Sequence, residues 1–211
     1  MVLSIVERVK GFLVSPSKTF DASKEDTVGD AFKYFAAILV IYAVIIAVIS
    51  IVGLSAFAAI EGIFGAPFKD VLAPLLGAAV APLFAIGFFI VAFVAGVIGV
   101  FIGGLWFHIW VYLVGGRKGV GQTIEAVMYG MTPNLILGWI PFVNIIAAIW
   151  AIIVVIIGVR QLHELSTGKA VLAWILAVII PAIITGLIVV AFIAMMPPTM
   201  PPTGRHPFGG Y

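Results

Sequence analysis

A long apolar run occupies Val80–Val114, where the sequence reads VAPLFAIGFFIVAFVAGVIGVFIGGLWFHIWVYLV. This run contains no Asp, Glu, Lys or Arg. A bilayer-spanning helix needs about 20 apolar residues, because the hydrocarbon core of a bilayer is about 30 Å thick. As one helix the run would be about 50 Å long. The sequence therefore predicts a span that tilts, projects beyond the bilayer, or bends at Pro82 or a glycine.

The rest of the chain has the same character. Charged residues are absent from residues 34–60, 71–116, 126–159 and 170–204. Of the 211 residues, 64% are hydrophobic and 9% are charged, whereas ordinary domains carry about 25% charged residues. This composition argues against a cytosolic enzyme and a nucleic-acid binder. Because cysteine is absent, a disulfide scaffold and thiolate chemistry are excluded as well.

The charge-free runs predict the number of spans. The first span covers Tyr34–Ile60, the second ends near Val114, and the last covers Lys169–Met196. Gly138–Pro141 divides the run between them into two short antiparallel helices, 123–139 and 141–162. The sequence thus predicts an all-α, polytopic integral membrane protein with five transmembrane helices and a short central hairpin. A re-entrant hairpin is the alternative for this central pair.

Three regions follow from this division of the chain. Residues 1–33 form a cytoplasmic amphipathic helix and linker, residues 34–196 the five-span membrane domain, and residues 197–211 a Pro-rich extracytoplasmic tail. Residues 61–74 form a polar break between the first two spans. With the N-terminus in the cytoplasm, nine cations lie inside, and only Lys69 and Arg205 lie outside. The positive-inside rule favours this orientation, with the C-terminus outside the cell.

The first fourteen residues have the periodicity of an amphipathic helix. One face is apolar and consists of Val2, Ile5, Val6, Val9, Phe12 and Leu13. The opposite face is more polar and consists of Ser4, Glu7, Arg8 and Gly11. This pattern predicts a helix in the membrane interface, and the alternative is a helix packed on the protein's own cytoplasmic face. Ser15-Pro16-Ser17 ends the segment.

Small residues form a narrow stripe on the second span. The stripe is predicted to be a packing seam and includes Ala92, Gly96, Gly99 and Gly103. Small side chains let helix backbones approach closely in lipid. The partner of this seam is another helix of the same bundle or a second protomer.

Polar side chains in the central hairpin are few, namely Thr132, Asn134 and Asn144. Pro133 frees the carbonyl one turn earlier, and nearby hydroxyl or amide groups can satisfy it. The alternative is a polar ligand pocket at the hairpin. No Asp, Glu, Lys or Arg lies in the middle of a span, although ion-coupled transporters usually place such groups there.

The remaining motifs carry no recognisable chemistry. Residues 116–123 resemble a P-loop, but Gln122 replaces the phosphate-binding lysine and no strand precedes the turn. His108, His163 and His206 are scattered along the chain, which argues against a metal site. We therefore predict no catalytic, metal or cofactor site. His108 is interpreted as a residue of the interfacial aromatic belt, and a gating or ligand role is the alternative.

Several short motifs occur in a recognisable order between Trp106 and Pro181. They are the turn 115–121, Tyr129-Gly130-Met131-Thr132-Pro133, Pro141, Trp150, and Leu162-His163-Glu164-Leu165-Ser166-Thr167-Gly168-Lys169-Ala170. In this order the chain resembles the Yip family of membrane proteins, named for Ypt/Rab-interacting proteins. The resemblance implies five spans and a cytoplasmic N-terminus. Eukaryotic relatives act in vesicle traffic between the endoplasmic reticulum and the Golgi, bind prenylated Rab GTPases and associate with one another.

The chain departs from those relatives in its N-terminal segment of about thirty residues, which is shorter than the segment they use for partners. This departure argues against Rab binding, and the short loops and compact length favour a prokaryotic protein of the plasma membrane. The resemblance implies a non-enzymatic membrane adaptor or organiser linked to trafficking or membrane organisation. Expected partners are membrane lipids and other membrane proteins or a second copy, and not nucleic acid. The expected cytoplasmic partner face includes Arg117, Lys118, Arg160, His163 and Lys169. The alternative function is a permease, channel or lipid transporter with a polar path at the central hairpin.

Overall fold

The computed structural model describes residues 3–59 and 81–195, and the side chains of residues 3–51 and 82–195. The predicted polar break at residues 61–74 and the Pro-rich tail lie outside the described residues. Eight helices occur within the described ranges: α1 Ile5–Val14, α2 Pro16–Ala22, α3 Val28–Ala59, α4 Ala81–Leu113, α5 Val120–Gly130, α6 Thr132–Leu137, α7 Val143–Leu162 and α8 Thr167–Met195. The same ranges contain no strand.

Four of these helices, α3, α4, α7 and α8, are long and apolar enough to cross a membrane. The prediction of an all-α, multi-pass integral membrane protein is therefore confirmed. The predicted helix over residues 123–139 is instead two short helices, α5 and α6. The break falls at Met131 because Pro133 lacks the N–H that would bond to the Tyr129 carbonyl. Neither α5 nor α6 alone has the length of a span.

Helix α5 is the centre of the packed bundle, and its residues are buried almost throughout. Glycines let the neighbouring helices approach it closely. A Cβ on Gly130 would lie 2.9 Å from the backbone of Val155 on α7, and a Cβ on Gly104 of α4 would lie 2.9 Å from the side chain of Ile124. Backbone contact of this kind is how helices pack tightly in lipid.

Local capping fixes where the N-terminal helices begin. Ser4 Oγ accepts from the Glu7 amide at 3.3 Å, and the Glu7 carboxylate accepts from the Ser4 amide at 2.8 Å, so α1 starts in a capping box. Pro16 occupies the first turn of α2, where its missing N–H costs nothing. Thr27 and Asp30 form the corresponding reciprocal pair at the start of α3.

The core lies at one end of the long helices, the end that carries the α4–α5 and α7–α8 turns. We call this the turn end. Buried apolar residues continue from the turn end as far as Ala43 on α3, Val100 on α4 and Ala177 on α8. Beyond them the described side chains of these helices are half-buried or exposed, and they are predominantly apolar. Such a surface is expected where helices face lipid rather than water.

Candidate functional site

A buried polar cluster holds the N-terminal helices to the core. We call it the clasp and define it as Arg8, Ser23, Asp26 and Tyr129. The Arg8 guanidinium donates to both carboxylate oxygens of Asp26, at 2.5 and 3.1 Å. It also donates to Tyr129 Oη at 2.7 Å and to Ser23 Oγ at 3.2 Å. Tyr129 Oη donates in turn to Asp26 Oδ2 at 2.6 Å. The clasp therefore joins α1, the segment before α3, and α5.

Burial and pairing act together on the charges of the clasp. Arg8 is only 5% exposed, and its hydrogen bond to Asp26 raises the pKa of the guanidinium. Burial by itself would raise the pKa of the Asp26 carboxyl, but hydrogen bonds from Arg8 and Tyr129 outweigh burial and hold this pKa below its usual value. Both groups are charged at neutral pH, and each compensates the desolvation of the other.

Aromatic rings form a layer beside the clasp. The Phe12 ring stacks on Tyr129 with 4.9 Å between centroids and meets Phe20 edge-on at 4.9 Å. Tyr34 approaches Tyr129 from α3 at 5.5 Å. Phe20 fits because residue 158 on α7 is glycine, where a Cβ would lie 2.5 Å from the Phe20 Cζ. The Arg8 and Asp26 side chains beside this layer are only 7% and 17% exposed, and their low exposure to water strengthens their attraction.

The packed face of α1 coincides only in part with the apolar face that the sequence predicts, because Val9 and Phe12 contact the core whereas Ile5 and Val6 are exposed. Phe12 packs inward as an apolar residue should, but Arg8, which the periodicity places on the polar face, is buried too. Ile5 and Val6 of the predicted face are 49% and 76% exposed. Arg8 is buried because it pairs with Asp26, a tertiary contact that helical periodicity does not reveal. Trp150 Nε1 also donates to the Leu13 carbonyl at 3.0 Å, so α1 packs on the protein itself.

A second buried polar contact lies at the turn end. Thr123 Oγ1 on α5 lies 2.8 Å from His108 Nδ1 and 2.9 Å from His163 Nε2. A hydroxyl donates only one hydrogen bond, so at least one imidazole donates to Thr123. Burial, with smaller contributions from the His108 ring and Lys118, lowers the pKa of His163 to about 4. His163 is therefore neutral at pH 7 and ties the end of α7 to α5.

The histidine pair has few other potential metal ligands nearby among the described residues. Within residues 3–59 and 81–195, no group of three or more His, Cys, Asp or Glu could hold a metal ion. His163 Nδ1 and Glu125 Oε2 are buried and have no hydrogen-bond partner among those residues. Helical periodicity does not predict the burial of Thr123 and Glu125 on α5, because polar side chains are expected to face solvent and both are buried by tertiary packing.

Three of the predicted partner-face cations lie on the α4–α5 turn or in the first turn of α8. The Arg117 guanidinium donates to the Tyr112 carbonyl at 2.6 Å and lies 3.7 Å from the Tyr112 ring centroid. Lys118 pairs with Glu164 at 3.1 Å, between two exposed side chains. Lys169 Nζ lies 3.6 Å from where a Cβ on Gly115 would be, so it reaches from α8 to the end of α4.

The other two predicted partner-face residues have different surroundings. Arg160 Nη2 donates to Ser17 Oγ at 3.4 Å, and Gln161 Nε2 donates to the Ser17 carbonyl at 3.0 Å. These bonds attach α2 to the end of α7. His163 is only 4% exposed, so its imidazole contributes to the interior rather than to an exposed surface.

Thr132 satisfies the carbonyl that Pro133 leaves free. Its Oγ1 donates to the Tyr129 carbonyl at 2.6 Å. Because that proton is used, the 2.9 Å contact with Tyr34 Oη has the tyrosine as donor. Thr132 is fully buried, and its polar atoms serve the bend between α5 and α6.

The two asparagines of the hairpin do not adjoin Thr132 in one polar site. Asn134 is half-buried and borders a cavity described below. Asn144 is exposed in the first turn of α7. Phe142, at the tip of the hairpin, has a φ of 65° and is 87% exposed. A bulky residue with this backbone conformation is uncommon, and it marks a tight turn.

The predicted small-residue seam contacts α3 at one position and borders a cavity at others. At Gly96 a Cβ would lie 2.7 Å from the Leu39 side chain, so α3 and α4 touch there. At Gly99 and Gly103 a Cβ would meet no heavy atom within 4 Å. We call the cavity the crevice; its volume is about 470 Å³, and its lining includes Ala92, Gly96, Gly99, Gly103, Trp106 and Val178. The close approaches at α5 instead use Gly104 and Gly130.

A hydrogen bond between α4 and α8 borders the crevice. Pro181 lies inside α8 and cannot bond to the carbonyl of Ala177, four residues earlier. Trp106 Nε1 donates to this carbonyl at 3.1 Å. Phe107, next to it on α4, meets the Trp174 ring edge-on at 5.5 Å. The indole thus satisfies a backbone group that would otherwise be unpaired in an apolar environment.

Comparison with known proteins gives one match. No curated protein and no solved structure matches the chain. The Yip1 domain family model matches residues 10–195, a range that includes the histidine pair, the crevice and every clasp residue except Arg8. The sequence resemblance is therefore confirmed, and the chain belongs to the Yip1 domain family of membrane proteins.

Proposed function

We propose that this Yip1 domain protein is a non-enzymatic membrane adaptor or organiser whose N-terminal helices form part of its partner-binding face. The observation that carries this proposal is the clasp. A segment that served only as a tether would not need a buried ion pair, further hydrogen bonds from the same guanidinium and an aromatic layer to hold it. A fixed segment can instead present a defined surface, which reduces the entropy lost when a partner binds.

The exposed surface of α1 is suited to contact with membrane lipids and with other membrane proteins, which are the proposed partners. Val6 and Val14 flank Lys10 at helical spacing, and all three side chains are exposed. Apolar residues with a cation between them suit the boundary between lipid headgroups and acyl chains. A link to membrane trafficking or organisation follows from the family and is part of the proposal.

The proposed topology is that of a plasma-membrane protein that crosses the bilayer five times. Its N-terminus lies in the cytoplasm and its C-terminus lies outside the cell. Helices α5 and α6 together would supply the fifth crossing, since residues 120–137 correspond to about 27 Å of helix. The nine-to-two distribution of cations supports the orientation. Single cysteines at Lys24, Lys118, Lys69 and Thr203 test it in intact cells. An impermeant thiol reagent should label only the cysteines at positions 69 and 203. Labelling of the cysteine at position 24 would show that the N-terminus is outside and contradict the proposed orientation.

The alternative, a transporter with a polar path at the hairpin, has less support. Thr132 uses its hydroxyl within the fold, and Asn144 is separated from it on the exposed start of α7. The crevice is lined mainly by apolar side chains and glycines. A polar solute would therefore lose hydration without gaining hydrogen bonds.

Photo-crosslinking in native membranes tests the adaptor proposal. A photoreactive residue at Lys10 should give a discrete protein adduct. The same residue at Ile188, which lies on the lipid-facing half of α8, should not. Asp26→Asn releases the N-terminal helices and should abolish the Lys10 adduct without lowering membrane insertion. Robust solute flux or lipid scrambling by the purified protein in liposomes, sensitive to changes at Asn134, would instead support the transporter.

A further inference from the structure

We propose that the crevice binds one acyl chain of an anionic phospholipid from the leaflet at the turn end, with its headgroup near Lys169 and Arg117. This site is separate from the N-terminal partner face and does not depend on the adaptor function. The crevice volume of about 470 Å³ lies within the range of about 300–1,000 Å³ that is typical of small-molecule sites.

The part of the crevice between Trp106 and Gly99 lies within one leaflet. Counted from the end of α4 at Leu113, Trp106 lies about 10 Å and Gly99 about 21 Å along the helix axis. Counted from the start of α8 at Thr167, Trp174 lies about 10 Å and Val178 about 16 Å along the axis. Tryptophans commonly mark the interface between headgroups and acyl chains. The crevice therefore begins at this interface and extends into the acyl-chain layer.

The crevice opens sideways, between α4 and α8. Among its lining residues, the exposed ones come from these two helices and are Gly99, Gly103, Trp106 and Val178. Helix α8 packs on its neighbours only as far as Ala177, so the two helices leave a gap beyond the Trp106 hydrogen bond. At this depth the surrounding solvent is hydrocarbon, and an acyl chain can enter laterally without crossing a polar layer.

An unfilled crevice would be unfavourable. Its lining would lack van der Waals partners on one side, and water is poorly held by walls with few polar groups. Asn134 is the one amide side chain in the lining. Glycine at positions 99 and 103 leaves open space where larger residues would fill the groove.

Charge at the turn end complements an anionic headgroup. Lys169 Nζ reaches from α8 toward Gly115, so a cation spans the ends of the two helices that form the opening. Arg117 lies on Tyr112 in the last turn of α4. Within the described ranges, neither Lys169 nor Arg117 has a carboxylate within ion-pair distance, whereas Lys118 is paired with Glu164. A phosphate is the group that both cations would attract.

Native mass spectrometry of the full-length protein tests this proposal with two lipids of identical chains, dioleoylphosphatidylglycerol and dioleoylphosphatidylcholine. The wild type should retain one phosphatidylglycerol. Gly99→Leu with Gly103→Leu should lower the affinity for both lipids by roughly tenfold or more, because each displaced methylene is worth about fourfold in affinity. Gly186→Leu on α8 is the matched control, because its Cβ also meets no atom within 4 Å and it does not line the crevice.

The headgroup assignment has its own variants. Lys169→Gln and Arg117→Gln should each lower phosphatidylglycerol affinity about fivefold and leave phosphatidylcholine affinity unchanged. Lys24→Gln, which removes a cation from the exposed Lys24–Asp21 pair, should change neither. Unchanged lipid retention in the Gly99→Leu Gly103→Leu variant would overturn the crevice as the site. Equal losses for both lipids in Lys169→Gln would overturn the headgroup position. The spectra could instead show a dimer without bound lipid, and this dimer could be lost in the Gly99→Leu Gly103→Leu variant. That result would show that a second copy occupies the crevice, and it would refute the proposal.

Discussion

Replacing Asp26 with Asn should release the N-terminal helices from the core. The substitution leaves the Arg8 guanidinium buried without a counter-charge and removes the carboxylate that accepts from Tyr129. Breaking a buried ion pair on one side costs about 3–5 kcal/mol. The Asp26 side chain is 17% exposed, so we take the lower end, about 3 kcal/mol. At 1.36 kcal/mol per factor of ten, the released state becomes about 150-fold more populated.

A buried thiol reports this release. The protein has no cysteine, and Thr19 on α2 is 6% exposed against α1. A cysteine at Thr19 reacts with excess maleimide only when the N-terminal helices open, so its labelling rate follows the opening equilibrium. Asp26→Asn should therefore accelerate labelling about 150-fold. Asp21→Asn is the matched control, because it removes an exposed pair worth about 0–1 kcal/mol and should accelerate labelling less than about fivefold.

Equal acceleration by Asp26→Asn and Asp21→Asn would refute the clasp as the attachment of these helices. A double variant tests whether the unpaired Arg8 charge is what releases the helices. Arg8→Met with Asp26→Leu removes both charges, and apolar residues of similar volume commonly replace a buried ion pair at little cost. This double variant should label more slowly than Asp26→Asn alone.

Three further predictions concern helix packing and pH. Gly130→Ala should lower stability in detergent by about 1–3 kcal/mol through overpacking, whereas a thermal melt of Gly186→Ala should match the wild type. Trp106→Phe should lower the free energy of unfolding by about 0.6–1.7 kcal/mol. The loss should be much smaller in a Pro181→Ala background, because alanine restores the backbone N–H that bonds to the Ala177 carbonyl. Equal losses in the two backgrounds would exclude the proposed hydrogen bond. Because the folded state lowers the pKa of His163 from 6.5 to about 4, its stabilising contribution is complete above pH 6.5 and declines toward pH 4. The melting temperature of His163→Asn should therefore change less with pH between 6.5 and 4 than that of the wild type. An equal change with pH in both proteins would contradict the lowered pKa of His163.

Regularities of composition and spacing predicted the long helices. Charge-free runs are sufficient for α3, α4, α7 and α8, because a helix in lipid must satisfy its backbone internally and needs only length and apolarity. Pro133 pointed to a freed carbonyl near the central hairpin, and Thr132 satisfies it. The motif order around residues 129–133 and 162–170 was specific enough to indicate the family that the domain match confirms.

The clasp and the crevice could not be read from such regularities. Arg8 and Tyr129 are 121 residues apart, and no local pattern distinguishes a buried arginine from a solvated one. Gly99 and Gly104 look alike in sequence, yet one faces open space and the other meets Ile124. Hydropathy measures the preference of each residue for lipid, whereas contacts depend on how each helix is rotated against its neighbours. That rotation is set by packing summed over the whole bundle, so it appears only when all the helices are assembled.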